Sequence, residues 1–299
     1  MSIAEGSTPV SIGGRQQSRL VGLASAVLGL AEGRIGVVIV LGFLVMVFFG
    51  PALAPYGPTA IGVGVADAGP STSHWLGTDT LGRDVYSRLL VGASSVIVTP
   101  LVATIAAFIV GGLLGLLAGY LGGTFDTVVG RTLDIFLSLP ALLVVLVIIA
   151  AFGSETQVIV LSVATVYTPR VARVLRGATQ GVATREYVLA AQARGERAVP
   201  IVLREVLPNI APTVLVEFAI RLTYAIIFVT TLNFLGLGLH PPSPTWGLMV
   251  SQSRNTLLIN PMATLAPTIA IGAVSVAIGL IADAITRTFG VEHTSALLR

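Results

Sequence analysis

The chain has no cysteine and no lysine, and only 10% of its 299 residues are charged. Without cysteine there is no disulfide and no thiolate metal ligand. Without lysine nothing can fill the basic position of a G-x-x-x-x-G-K-[ST] phosphate loop, so ATP hydrolysis tied to this chain has to come from another polypeptide. Histidine is scarce as well. His74, His240 and His293 are scattered and form no H-E-x-x-H pair, and no G-x-S-x-G is present. An embedded hydrolase would therefore lack its machinery, and no metal site is expected. Soluble domains carry about 25% charged residues. Here 54% of residues are hydrophobic and the mean hydropathy is +0.92. The apolar runs are continuous and do not alternate, which points to membrane-spanning helices and away from a barrel. The net charge of +3 comes from arginines that lie beside apolar runs, the pattern of membrane orientation and not of nucleic-acid binding.

Six spans are expected, at about 35–54, 96–120, 135–153, 155–173, 210–232 and 262–285, near the ~20 residues that cross a bilayer. The fold class is thus all-α, a polytopic helical bundle. Four regions follow. Residues 1–33 form a tail without a cleavable signal peptide: Met1–Gln17 is disordered, and 18–33 is an interfacial helix or an extension of the first span. Residues 34–95 hold the first span, ended by Pro51 and Pro55, and an outer loop. Within 74–94 a short amphipathic helix is expected on the outer surface, capped at Thr78, Asp79 or Thr80, with Asp84 and Arg88 four apart. Residues 96–287 form the core with five spans, and 288–299 a short tail.

Gly111, Gly115, Gly119 and Gly123 recur every four residues, a pattern that lets two helix backbones approach closely. A hinge or pore role is the alternative. Glu217 and Arg221 are one turn apart inside a span. Each costs ~2.5–3.5 kcal/mol near mid-membrane, so pairing is expected, with pathway lining as the alternative. The outer loop holds Pro241, Pro242, Pro244 and Trp246. It reads as a rigid hairpin near the mouth of a pathway, or as a plain structural turn. With both termini inside, thirteen arginines fall on inner segments and three, Arg83, Arg88 and Arg254, on outer ones. That asymmetry puts both termini and the segment Thr184–Asn209 in the cytoplasm.

Thr184–Asn209 holds seven of the 31 formal charges: Arg185, Glu186, Arg194, Glu196, Arg197, Arg204 and Glu205. Its pattern predicts two short helices, over 183–193 and 199–207. Gly195 breaks them, and Pro208 ends the second. Such a piece presents side chains to a groove on a partner.

Leu189-Ala190-Ala191, then Gly195, then Leu207-Pro208 resembles the EAA loop of ABC importer permeases. Leu189 stands where that family usually has glutamate, and Glu205 where it has an apolar residue. Residues 74–94, 119–140 and 234–249 resemble the C-type permease subunit of dipeptide and oligopeptide ABC importers, and the likeness covers about residues 34–287. It implies the type I importer permease fold in a bacterial inner membrane. It also implies a homologous B-type subunit, two ATPase subunits or one fused ATPase chain, and an extracytoplasmic binding protein. ATP and Mg would sit on the ATPases, and no cofactor on this chain. Glu186, Leu189, Ala190, Ala191, Arg194, Gly195, Leu207 and Pro208 would form the docking segment, with Ala190, Ala191 and Gly195 fitting a groove. Small peptides are the implied substrate, and nickel or its chelates, glutathione or another small solute the alternatives. An ion-coupled secondary transporter is the reading from outside the family.

Overall fold

The structure, a computed structural model, describes residues 25, 27–240 and 242–297, with side chains to Thr288. The expected tail Met1–Gln17, half of the interfacial stretch 18–33 (18–24 and 26), and Pro241 lie outside the described residues.

Helix α1 is Ala31–Leu53. It passes through Pro51 and stops at Ala54, whose extended backbone is the conformation a following proline (Pro55) imposes. Helix α2, Val85–Leu121, is 37 residues long. No separate amphipathic helix lies on the outer surface; its expected residues form a loop and then the start of α2. The cap is Asp84, not Thr78, Asp79 or Thr80. Asp84 Oδ2 accepts from the Ser87 N–H at 2.7 Å and from the Ser87 hydroxyl at 2.7 Å.

Gly122 and Gly123 both have positive φ and turn the chain into α3, Gly123–Ser138. Leu139 precedes Pro140 and is extended. Helix α4, Ala141–Phe152, therefore leaves α3 at 85°. The third expected span is thus a bent pair, whose first helix includes the polar residues Asp126, Arg131 and Asp134. Helix α5, Thr156–Ala183, runs ten residues past the expected inner boundary at 173. Helix α6 is Glu186–Ala193, α7 Ala198–Ile201, and a π turn at Val202–Val206 leads into α8, Leu207–Phe234. Helix α9 is Trp246–Ser253 and α10 Met262–Leu297. Among the described residues five helices can cross a membrane, or six if the bent pair counts as one span.

The bundle is assembled around α2. Apolar side chains of α2, α4, α5 and α8 form one core, including Val145, Ile159, Val163, Tyr167 and Leu232. A second core joins α1, α2, α8, α9 and α10 around Trp246, which meets Phe43 at 5.7 Å between ring centroids. Gly36 brings α1 against the Ala277 carbonyl of α10. Exposed Phe48, Ile109, Ile135, Val147, Leu161 and Ile269 clothe the outside, as expected of a surface solvated by acyl chains.

The most extensive helix contact is α2 on α5. A Cβ at Gly111, Gly115 or Gly119 would stand 2.5, 2.5 and 2.6 Å from the carbonyl oxygens of Thr168, Ala172 and Arg176. Three glycines thus face three carbonyls at the same four-residue step. Gly123 does not join them, contrary to the spacing. Its α carbon faces open space, because α2 has already ended at Leu121. We predict that Gly115→Ala lowers stability by about 1–3 kcal/mol through overpacking. Gly112→Ala, whose Cβ meets Leu175 Cδ2 at an ordinary 3.5 Å, should be close to neutral. Thermal unfolding of the detergent-solubilised protein checks the pair.

Candidate functional site

The polar stretch folds into a module seated on the inner ends of α2 and α5. Val188 and Ala191 lie three apart on α6, and both are fully buried. With Ile201 and Val206 they pack against Leu116, Tyr120 and Val182. Gln192 Nε2 donates to the Tyr120 hydroxyl at 3.3 Å. Ala191 therefore holds α6 to its own chain and is not available to a partner's groove, where the sequence had put it. The opposite side is exposed: Glu186, Ala190 and Arg194 are all on the surface. Tyr187, Leu189, Val199 and Leu203 are 41%, 50%, 61% and 55% exposed, four apolar side chains on a segment otherwise full of charge. Arg194 forms an exposed ion pair with Glu196 at 2.7 Å.

Gly195 ends α6. Its N–H donates to Gln192 O at 2.9 Å, and the Glu196 N–H to Ala191 O at 3.3 Å. These are the two bonds of a Schellman motif, which needs a left-handed residue at this place. Gly195 has φ +77, and a Cβ there would meet nothing. Backbone conformation demands the glycine, then, and not close approach to the rest of the chain. Pro208 does not terminate the second helix as expected. It lies in the first turn of α8, where a missing N–H is tolerated. The strain of its ring against the preceding turn coincides with the π turn. There the Leu207 N–H reaches back five residues to Val202 O, and the Asn209 side-chain amide donates to Glu205 O.

Inside the bundle Arg221 Nε donates to Glu217 Oε1, and its guanidinium stands 6.0 Å over the Tyr224 ring. The expected pairing partners are thus in contact on α8. Arg170 was expected at the inner boundary; the longer α5 puts it midway along the helix instead. Below it, Asp126 of α3 accepts from Arg176 and from Gln180 of α5, and Asp134 from Arg173.

The outer end holds a buried polar knot that the sequence reading missed. Asp79, Arg83 and Arg88 are almost fully buried. Asp79 accepts from Arg83 Nε at 2.7 Å, from Arg88 Nη1, and from the backbone N–H groups of Leu81 and Arg83. Both arginines also donate to Gln252 Oε1 of α9, at 2.9 and 3.2 Å. His74 Nδ1 and Asp84 Oδ1 are 2.9 Å apart, and Asn260 Nδ2 donates to Thr78 O at 2.9 Å. Trp246 belongs to this end but is not at any surface. It is fully buried, with its indole N–H on Leu89 O at 2.9 Å. A mouth position for Trp246 is therefore corrected to an internal anchor. Pro242 is exposed and Pro244 half-buried; Pro244 O lies so near Gly92 that a Cβ there would be 2.0 Å away.

A long-helix bundle with a folded polar module projecting from one end and a charged knot closing the other defines a polytopic membrane protein built to work with other chains. The family described as "Binding-protein-dependent transport system inner membrane component" matches residues 111–290, and this chain belongs to that family of transport permease subunits. It is 38% identical to the probable D,D-dipeptide transport system permease protein DdpC of Escherichia coli K12, over 74% of each chain. Identity to the glutathione transport system permease protein GsiD of Pectobacterium atrosepticum is 35%, over 72% of this chain and 71% of that one. The dipeptide transport system permease protein DppC of Alkalihalophilus pseudofirmus is 32% identical over 83% and 82%. Among solved structures, the inward-facing MetNI methionine ABC transporter aligns with a TM-score of 0.56 at 18% identity, covering 67% of this chain and 95% of that one. The fold is therefore that of a type I ABC importer permease, and the chain is a multi-pass inner-membrane protein.

Two substitutions test the geometry. Asp79→Asn leaves two buried guanidinium groups facing each other. It should cost about 3–5 kcal/mol, read as a lowered unfolding midpoint. Gly195→Ala should speed amide exchange across 186–195 by forcing an L side chain to φ +77. Gly195→Asn, which tolerates that conformation better, should speed it less.

Proposed function

We propose that the chain forms half of the translocation pathway of an ATP-driven importer of di- and oligopeptides, and that the exposed side of α6 is where an ATPase subunit docks. The observation that carries this is the exposure of four apolar side chains, Tyr187, Leu189, Val199 and Leu203. They sit on a module whose other face is anchored to α2 and α5. Apolar surface gathered among charges marks an interaction site, and a short helix with one face fixed and one free suits a groove on a partner. Leu189 replaces the usual acidic group, so the contact is apolar at that point, with Glu186 and Arg194 supplying charge at its rim. Gly195, Leu207 and Pro208 shape the module and make no contact of their own.

Family membership brings a second permease subunit, ATPases and a binding protein in general terms. We assign the second half of the pathway to a B-type homologue, and ATP with Mg to separate or fused ATPase chains. Delivery falls to an extracytoplasmic binding protein. This chain carries no cofactor and performs no hydrolysis. Thirteen inner arginines against three outer ones support cytoplasmic termini; moving Arg170 into a span leaves the sign of that excess intact. The relatives named for dipeptides and for glutathione share a short-peptide cargo, which favours peptides here over metal chelates.

Reconstitution with the partner chains and the binding protein tests this. Peptide uptake should require ATP and persist when ion gradients are collapsed; uptake driven by an ion gradient without ATP would overturn it. Leu189→Arg should cut ATP-driven uptake about tenfold, the effect of losing more than 1 kcal/mol at a docking contact, with membrane insertion intact.

A further inference from the structure

We propose that Arg170, with Arg221 and Tyr224 beside it, forms a carboxylate-binding subsite within the membrane that receives the anionic end of the solute in transit. This rests on the reading of the chain as half of a peptide pathway.

Depth is the first argument. Arg170 is halfway along α5 and Arg221 halfway along α8. Both helices can be levelled against α2. Thr168 backs Gly111, and Phe218 meets Phe108 at 5.2 Å between ring centroids. Gly111 and Phe108 lie ~15 and ~20 Å from the inner end of α2 at 1.5 Å per residue, so both arginines sit well inside ~30 Å of hydrocarbon. Charges at such depth face the protein interior or water and mark solute pathways.

Charge balance is the second. Glu217 is the single carboxylate here, and Arg221 holds it. Among the described residues no carboxylate lies within ion-pair distance of Arg170. Its Nη1 donates to Val166 O at 2.7 Å, and its guanidinium stands 5.9 Å over the Tyr167 ring. A guanidinium has five donors in a planar fork, and one hydrogen bond leaves most of that fork open. The remaining excess is one positive charge, which attracts a single carboxylate.

Surroundings are the third. Arg170 stands 5.9 Å over the Tyr167 ring and Arg221 6.0 Å over the Tyr224 ring, so each guanidinium has an aromatic face against it. Tyr224, beside Arg221, is 55% exposed. Arg170 also lines a crevice of about 10 Å³ at the bend between α3 and α4, with Phe136, Leu139, Thr165 and Pro169, which has room for no more than the end group of a solute. A charged head set among apolar walls suits a solute that is apolar along its length and anionic at one end. Glu217 keeps the site from trapping that solute, because it neutralises one of the two arginines. Transit needs binding weak enough to let go.

A lasting ion pair between Arg170 and a second permease subunit is the competing use of the same guanidinium. The test is equilibrium dialysis of a radiolabelled dipeptide, and separately of its C-terminal amide. It uses the purified complete transporter (both permeases with the ATPases, binding protein omitted). Wild type should bind the free acid about tenfold more tightly than the amide, as a charge-assisted bidentate contact requires. Arg170→Gln should abolish that preference, and Arg170→Lys should keep part of it. No preference in the wild type, or a preference that survives Arg170→Gln, overturns the subsite. So does failure of Arg170→Gln to co-purify with the second permease, which would assign the guanidinium to subunit pairing. Uptake by the wild type with its binding protein checks the underlying reading separately: vesicles that take up no peptide would remove the peptide cargo, whatever dialysis shows.

Discussion

Helices α2 and α5 touch backbone to backbone, and the placement of the polar groups on α3, α5 and α6 follows from that contact. In lipid there is little hydrophobic gain from bringing helices together, so close packing of small residues has to do it. Gly111, Gly115 and Gly119 supply it against Thr168, Ala172 and Arg176. Once α5 is fixed, Arg173 and Arg176 are set opposite Asp134 and Asp126 of α3. Arg170 is set at mid-depth. The inner end of α5 delivers Val182, beside Leu116 and Tyr120 of α2, as the seat for α6. The polar module is thus an outgrowth of the glycine-packed pair.

The two ends of the bundle are built from different materials. The outer knot is ionic: two arginines, two aspartates, a histidine and a glutamine tie residues 74–88 to α9. Buried pairs of this kind specify a geometry more than they add stability. The inner module is held by Val188, Ala191, Ile201 and Val206, small apolar contacts with no charged partner among them. Six of its seven charges are exposed, where a partner can read them, and Glu205 is half-buried.

Legibility in the sequence followed the range of the interaction involved. Span existence, the Gly111–Gly119 spacing, the Glu217–Arg221 step and the break at Gly195 are local patterns, and the structure has each in place. The misreadings come from partners far along the chain. Asp84 and Arg88 have helical spacing and look like a surface pair. Yet Arg88 is buried because Asp79 and Gln252 receive it, and Gln252 is an uncharged residue far along the chain, with nothing local to advertise the contact. Trp246 carries the amphipathic signature of an interface residue, but its N–H is claimed by Leu89 O. Gly123 continues the four-residue count after the helix that gave the count meaning has stopped. Pro140 signals a break, whereas the size of the bend that follows, 85°, is not written in the local sequence. At the family level the resemblance was carried by segments spread over most of the chain. For that reason it survived these local errors.

The π turn at Val202–Val206 has a consequence of its own. A π turn holds one residue more than the α-helical turns on either side. It works as a phase shift between the polar module and α8. Each residue of an α-helix advances the side-chain direction by about 100°. Converting this turn to α-helix would therefore rotate Glu217, Arg221 and Tyr224 by roughly that angle relative to α6. Ala225, Ile226, Val229 and Leu232 of α8 are packed in the bundle, and Val206 of the turn is packed under α6. The turn therefore locks the module and α8 in one relative phase.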